Sequence, residues 1–216
     1  MNFCSWQGLT LKNIFSRHFI VVNIDDVIFL YEHSVKRHHC LPMPIPRPLL
    51  DFQITVASWR RISRLRARLQ LAAQATIDRL PKTMRFPVTA TVLLTGNAKV
   101  RQLNHDFRGL DKATNVLSFP QFSPTELSHL GKQKNVVELG DIALAYQYVV
   151  AEAKSDNKLL IDHITHLVIH GLLHLFGYDH TKDRDARQME KLEIEIMDAL
   201  GLQDPYASQT QKKQKL

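Results

Sequence analysis

Three histidines, His170, His174 and His180, stand four and then six residues apart, with Gly177 between the last two. Residues at i and i+4 lie one above the other on a single face of a helix, so His170 and His174 can reach one point in space. The apolar positions Leu160, Ile164, Leu167, Val168, Leu172 and Leu175 recur at helical spacing and predict a helix over 159–176 with that stripe facing a core. Gly177 ends the helix by accepting the left-handed conformation that turns the chain back, and the turn Gly177-Tyr178-Asp179 swings His180 towards the other two imidazoles. Three neutral imidazoles with a fourth position left open form a catalytic rather than a structural metal site, and zinc is the ion expected there, one per chain.

The spacing His-x-x-x-His-x-x-Gly-x-x-His is shared with a large class of zinc proteases, which carry a glutamate directly after the first histidine as general base. Here that position is Gly171, which cannot take a proton. The metal cage is kept and the protease base is missing. Two neighbouring histidines are less informative. His166 lies four residues before His170, and because a helix drifts about 40° over four residues, His166, His170 and His174 cannot all serve one ion equally well. His180 is the better third ligand, leaving His166 as polar lining or as a group behind a ligand. His105 and His163 are expected only at the polar surface.

The formal charge of +7 points to a polyanionic partner, nucleic acid first and an anionic membrane second. Five arginines between Arg60 and Arg68 could contact phosphates as a group, although any one of them reads as part of a solvated helix face. Cys4 and Cys40, the only two cysteines, form no disulfide framework and have no metal-like spacing, which suits a reducing cytoplasm. The apolar run Phe19–Leu30 is too short for a membrane span and is broken by Asp25 and Asp26. Residues 1–24 lack acids and carry Lys12 and Arg17, a weak match to an organelle transit peptide.

Prolines 42, 44, 46 and 48 forbid helix and mark an extended linker, so residues 1–47 are expected to be an N-terminal extension outside the folded unit. His33, His38, His39 and Cys40 have no regular ligand pattern. Strands are expected over Leu50–Ala57, Val88–Thr95, a segment closed by Pro120, and Val136–Ala145 with Gly140-Asp141 in its middle. Helices are expected over Trp59–Leu80, Asn97–Phe107, Gln147–Ser155, the metal helix, and Asp183–Leu200 with Gly201 as its cap, while Phe122–Asn135 reads as a loop. This order is not a strict strand–helix alternation. It predicts a single α+β domain over 48–202, a mixed, roughly four-stranded sheet packed by about five helices, followed by a basic disordered tail over 203–216.

Two motifs together resemble the bacterial YbeY family. One is His-Gly-x-Leu-His-Leu-x-Gly-Tyr-Asp-His from His170 to His180; the other is Arg108-Gly109-x-Asp111-Lys112-x-Thr114-Asn115-Val116-Leu117-Ser118-Phe119-Pro120. The similarity runs from about Leu50 to Leu202. Residues 1–47 have no counterpart, and Leu50-Asp51-Phe52-Gln53 looks like a usual family N-terminus, so Met43 is a candidate true start. The resemblance implies a zinc-dependent, single-strand-specific endoribonuclease of 16S ribosomal RNA 3′ end processing, ribosome maturation and quality control. Its partners would be ribosomal RNA, the small ribosomal subunit and its assembly factors. His170, His174 and His180 would hold zinc, and Arg108 would be the basic residue of catalysis. A guanidinium can fork two hydrogen bonds onto a phosphate, and zinc can polarise a phosphate oxygen. Asp179 is placed to orient a ligand; whether a general base or the ribose 2′-hydroxyl starts the reaction is left open. The competing readings are a zinc metalloprotease or amidohydrolase, opposed by Gly171, and a non-catalytic ribosome-assembly factor whose metal is structural.

Overall fold

Residues rich in β-branched side chains form strands, and in the computed structural model of this protein, which describes residues 49–131 and 134–207, four such strands form one sheet. They are β1 (Leu49–Ile54), β2 (Val88–Thr95), β3 (Val116–Pro120) and β4 (Val137–Ala145). Their order across the sheet is β1-β2-β4-β3; β1, β2 and β4 run parallel, and β3 runs antiparallel to β4 at the edge. Pro120, which cannot donate to a ladder, sits at the end of that edge strand, where the sequence placed it. The extension 1–47 and the start at Met43 lie outside the described residues.

Among the described residues six α-helices surround the sheet, one more than expected: α1 (Leu65–Arg79), α2 (Asn97–Arg108), α3 (Pro124–Leu130), α4 (Tyr146–Ser155), α5 (Leu160–Leu175) and α6 (Asp183–Ala199). The additional one is α3, inside the stretch expected to be a loop. It begins at a capping box: the Ser123 hydroxyl accepts from the backbone N–H of Glu126, and the Glu126 carboxylate accepts from the backbone N–H of Ser123. The expected helix over 59–80 is also corrected. A 3₁₀ turn over Ala57–Arg61 precedes α1, and Arg64, in the left-handed region at φ 54°, separates the two. The reason is Trp59. It is buried, donates its indole N–H to the Thr95 carbonyl at 2.9 Å and meets the Tyr146 ring edge-on at 5.1 Å. Seating that ring beside the end of β2 requires the chain to turn before α1 can start.

Alternation along the strands divides the core. Val92, Leu94, Ile142 and Leu144 pack with Leu69 of α1, Ile164 and Val168 of α5, and Ile196 of α6 on one face. Leu93, Ala143, Ala145 and Leu117 pack with Val100 and Leu103 of α2 on the other. Each such buried Leu or Ile stabilises the fold by roughly 1.5–3 kcal/mol relative to leaving it exposed. Gly140 sits at a bulge of β4 with φ 130°, and a Cβ there would collide with the Phe119 carbonyl, so the close approach of β3 and β4 needs glycine. The C-terminal segment is corrected too. Within the tail expected from 203, Pro205 is buried and Tyr206 is half-buried against His166, their ring centroids 5.5 Å apart.

Candidate metal centre

The metal helix α5 ends at Leu175, and Gly177, at φ 83°, reverses the chain. The Gly177 N–H donates to the His174 carbonyl and the Tyr178 N–H to the Leu173 carbonyl, both at 3.0 Å, which ties the turn to the last helical residues. Pro124 and Leu127 of α3 crowd the Gly177 backbone from outside, so the helix found in place of the expected loop supports this turn. Asp179 completes the geometry. One of its oxygens accepts the His180 backbone N–H at 2.7 Å and the other accepts the Thr181 hydroxyl at 2.8 Å. Asp179 therefore positions His180 through the main chain, and makes no hydrogen bond to an imidazole of the three histidines.

These constraints bring together the three histidines named from the sequence. One ring nitrogen from each of His170, His174 and His180 lies within 4.8 Å of the other two. The Nε2 atoms of His170 and His174 are 3.1 Å apart. A tetrahedral ion with metal–nitrogen bonds of about 2.0–2.1 Å separates its nitrogens by roughly 3.3 Å, so the pair has the correct spread. The other ring nitrogens settle the tautomers. His174 Nδ1 donates to the Tyr178 carbonyl at 2.9 Å, and His170 Nδ1 donates to a Glu193 carboxylate oxygen at 2.7 Å. Both Nε2 atoms then carry lone pairs, and two lone pairs at this distance repel unless a cation lies between them. Burial, followed by the neighbouring His170 and His180, lowers the His174 pKa to about 4, so this imidazole is unprotonated at neutral pH and able to ligate. The donor set fits a divalent metal ion. His180 is exposed, leaving that side of the cluster open to a large substrate.

Behind His170 stands a residue that the sequence reading missed. Glu193 of α6 is fully buried, and its carboxylate accepts from His170 Nδ1, from His166 Nε2 at 2.9 Å and from the Tyr206 hydroxyl. Burial alone would raise its pKa, but the hydrogen bonds from His166 and His170 outweigh it and hold the group near 2, so it stays a carboxylate. The signal was available: Glu193 lies on the buried stripe of α6 with Met189 and Ile196, and a carboxylate among core positions needs partners. His166 is thereby placed with Glu193, outside the ligand cluster. His163 is a correction. It is buried, not at the surface, and its Nε2 meets Glu152 at 2.8 Å.

Arg108 ends α2 and is exposed, and it has no hydrogen bond or ion pair among the described residues. Its neighbour Phe107 packs edge-on against Phe119 of β3 at 5.0 Å. Ser118, the next residue along β3, approaches the backbone of Gly171, immediately after His170, on the opposite face of the sheet. A single edge strand thus lies between the end of α2 and the metal helix. The loop after Arg108 is tied down by its own motif residues. Asp111 accepts twice from Arg101 at 2.6 Å, and Asn115 donates to Glu152 at 2.9 Å. The hydrogen bond from His163, aided by that from Asn115, holds the Glu152 pKa below the usual range. Gly171, where a protease would carry its base, is packed so tightly that a Cβ would lie 3.0 Å from Ile142 and 3.1 Å from the Ser118 hydroxyl.

Comparison with known proteins yields one family. A family model described as Endoribonuclease YbeY matches residues 54–201. A relative from Agrobacterium fabrum named Endoribonuclease YbeY is 41% identical over 167 residues, covering 74% of this chain and 96% of its own. One from Bradyrhizobium diazoefficiens with the same name is 40% identical over 160 residues, covering 74% and 86%. A solution structure of TM1509 from Thermotoga maritima aligns with a TM-score of 0.46 at 22% identity, covering 74% of this chain and 95% of that one.

Proposed function

The chain belongs to the endoribonuclease YbeY family, and from that membership we propose that it is a zinc-dependent endoribonuclease cutting single-stranded ribosomal RNA in the cytoplasm. Its setting is 16S 3′ end processing, maturation and quality control of the small ribosomal subunit, alongside that subunit's assembly factors. The observation that carries this reading is the convergence of His170, His174 and His180, with the far nitrogens of His170 and His174 tied to Glu193 and to the Tyr178 carbonyl.

His170, His174 and His180 would hold the zinc ion, which would supply Lewis acidity to a phosphate oxygen, where cleavage of the diester develops negative charge. The remaining work falls to the chain itself. Glu193 and the Tyr178 carbonyl hold two ligand rings in one tautomer and orientation. Arg108, exposed and unpaired among the described residues, is free to fork onto the two non-bridging oxygens of the scissile phosphate. Asp111 and Asn115, by fixing the loop that follows, limit where that guanidinium can go. At Gly171 the chain lacks the glutamate of a zinc protease, and a side chain there would crowd Ile142 and Ser118, which favours phosphate over peptide chemistry.

Arg108→Lys tests the proposed mechanism. Lysine keeps the charge and loses the planar fork. Single-turnover cleavage of a ribosomal RNA fragment should fall on the order of a hundredfold, as when one preorganised donor is removed from a site of developing charge. Filter binding of the same RNA should change little, because many other basic residues contribute to that term. A variant that cleaves like the parent removes Arg108 from the mechanism; a parent that binds RNA with zinc loaded but never cuts it favours the assembly-factor role.

A further inference from the structure

The metal centre and Arg108 leave unexplained a second cationic surface at the far end of the molecule. Arg60 and Arg61 on the 3₁₀ turn, and Arg64 and Arg66 at the start of α1, are all exposed. None of the four guanidinium groups has a hydrogen bond or ion pair among the described residues, whereas that of the adjacent Arg68 is paired with Asp162 at 3.4 Å. No Asp or Glu occurs between Ala57 and Ile77. Fold stability does not account for this arrangement. Positive side chains in the first turn of a helix oppose its dipole, and like charges one turn apart repel. A local rule broken in this way is expected where function requires it.

The arginines are also held on a rigid frame. Trp59, buried and bonded to the Thr95 carbonyl, pins the turn that carries Arg60 and Arg61. The Arg66 guanidinium lies 5.8 Å from the centroid of the Phe52 ring, which supports it from one side. The patch is set apart from the metal centre. Arg68–Asp162 places the start of α1 beside the start of α5, and His174 follows Asp162 by twelve residues on the same helix, about 18 Å at 1.5 Å per residue. Every basic residue between 49 and 81 is an arginine. Planar forks match phosphodiester oxygens two at a time, whereas attraction to an anionic lipid surface needs only charge and is served equally by lysine.

We propose that Arg60, Arg61, Arg64 and Arg66 form a distal phosphate-binding face that grips the RNA backbone several nucleotides away from the bond being cut. This rests on the endoribonuclease reading and adds to it a substrate requirement: RNA long enough to span both places. At roughly 3.4 Å per stacked nucleotide the separation corresponds to about five nucleotides.

The test uses the full chain and the variant Arg60→Gln/Arg61→Gln/Arg64→Asn, asparagine being chosen because it tolerates the left-handed conformation at position 64. Its thermal midpoint should equal or exceed the parent's, since the substitutions relieve repulsion. Filter binding and single-turnover cleavage are measured with single-stranded RNAs of about 20 and about 3 nucleotides, the first long enough to cover the separation of about five nucleotides and the second too short to span it. For the long RNA, the slope of log affinity against log salt should shrink by about 2, at about 0.7 for each phosphate that is no longer neutralised. Affinity for the long RNA at fixed salt should fall about tenfold or more, with the cleavage rate at saturation within about twofold of the parent; the short RNA should be unaffected. An unchanged slope overturns the proposal, as does an equal loss for both lengths, or a variant that loses only its binding to phosphatidylserine vesicles. A parent whose RNA binding depends on this face but which never cuts supports the face and overturns the endoribonuclease reading. A variant that binds and cuts the long RNA like the parent does the reverse.

Discussion

Glu193 and His170 illustrate what single residues disclose in this chain. The clustering of the three histidines was legible because convergence on one point demands a spacing and the spacing is in the sequence: i, i+4, a glycine turn, then His180. Glu193 was equally legible in principle, as the one acid on the buried stripe of α6, but its partners come from α5 and from Tyr206, and only the fold brings those together. His163 was misread for the same reason, because its Glu152 partner sits on a different helix. Arg108 was singled out by motif resemblance, since nothing in its local sequence distinguishes it from a surface arginine. If Glu193 fixes the His170 tautomer, Glu193→Gln, which keeps the shape and loses the anionic acceptor, should weaken metal affinity about 10–100-fold. Competition with a chromogenic chelator measures this directly. Parent-like affinity would mean that His170 is held without help from α6.

At the scale of elements, the strands and the long helices followed from periodicity, and the Pro120 edge from the missing donor. The strand order did not, because a period of two reports which face is buried and says nothing of neighbours. The break at Arg64 was hidden because its cause is tertiary: the seat of Trp59 against Thr95 and Tyr146 overrides a continuous helical pattern. Helix α3 was missed although Ser123-Pro124-Thr125-Glu126 carries the capping-box pattern, since proline, serine and glycine around it resemble a loop. Ser123→Ala should lower the unfolding free energy by about 1 kcal/mol in a urea titration. It should leave metal affinity almost unchanged, because α3 packs on the Gly177 turn and, among the described residues, makes no hydrogen bond to the three histidines. An unaltered midpoint would show that the box contributes nothing in solution.

At the scale of the molecule, one sheet separates the histidine cluster from Arg108. Helices α1, α5 and α6 bury its broad face and carry the histidine cluster with Glu193 behind it, while α2 covers the other face and presents Arg108 across the edge strand. The α+β class was readable because its elements do not alternate regularly; the contribution of residues 203–207 was not, since a polar tail gives no sign that Tyr206 will reach a buried carboxylate. The central claim, that three histidines make this family member a metal-dependent ribonuclease, rests most directly on one comparison. The parent and His174→Ala are purified side by side, their bound metal is quantified by mass spectrometry, and both are incubated with the same single-stranded ribosomal RNA fragment. The account predicts about one zinc per parent chain with internal cleavage, and a folded variant that has lost both. A His174→Ala protein carrying the same metal and cutting the RNA at the same rate would contradict it.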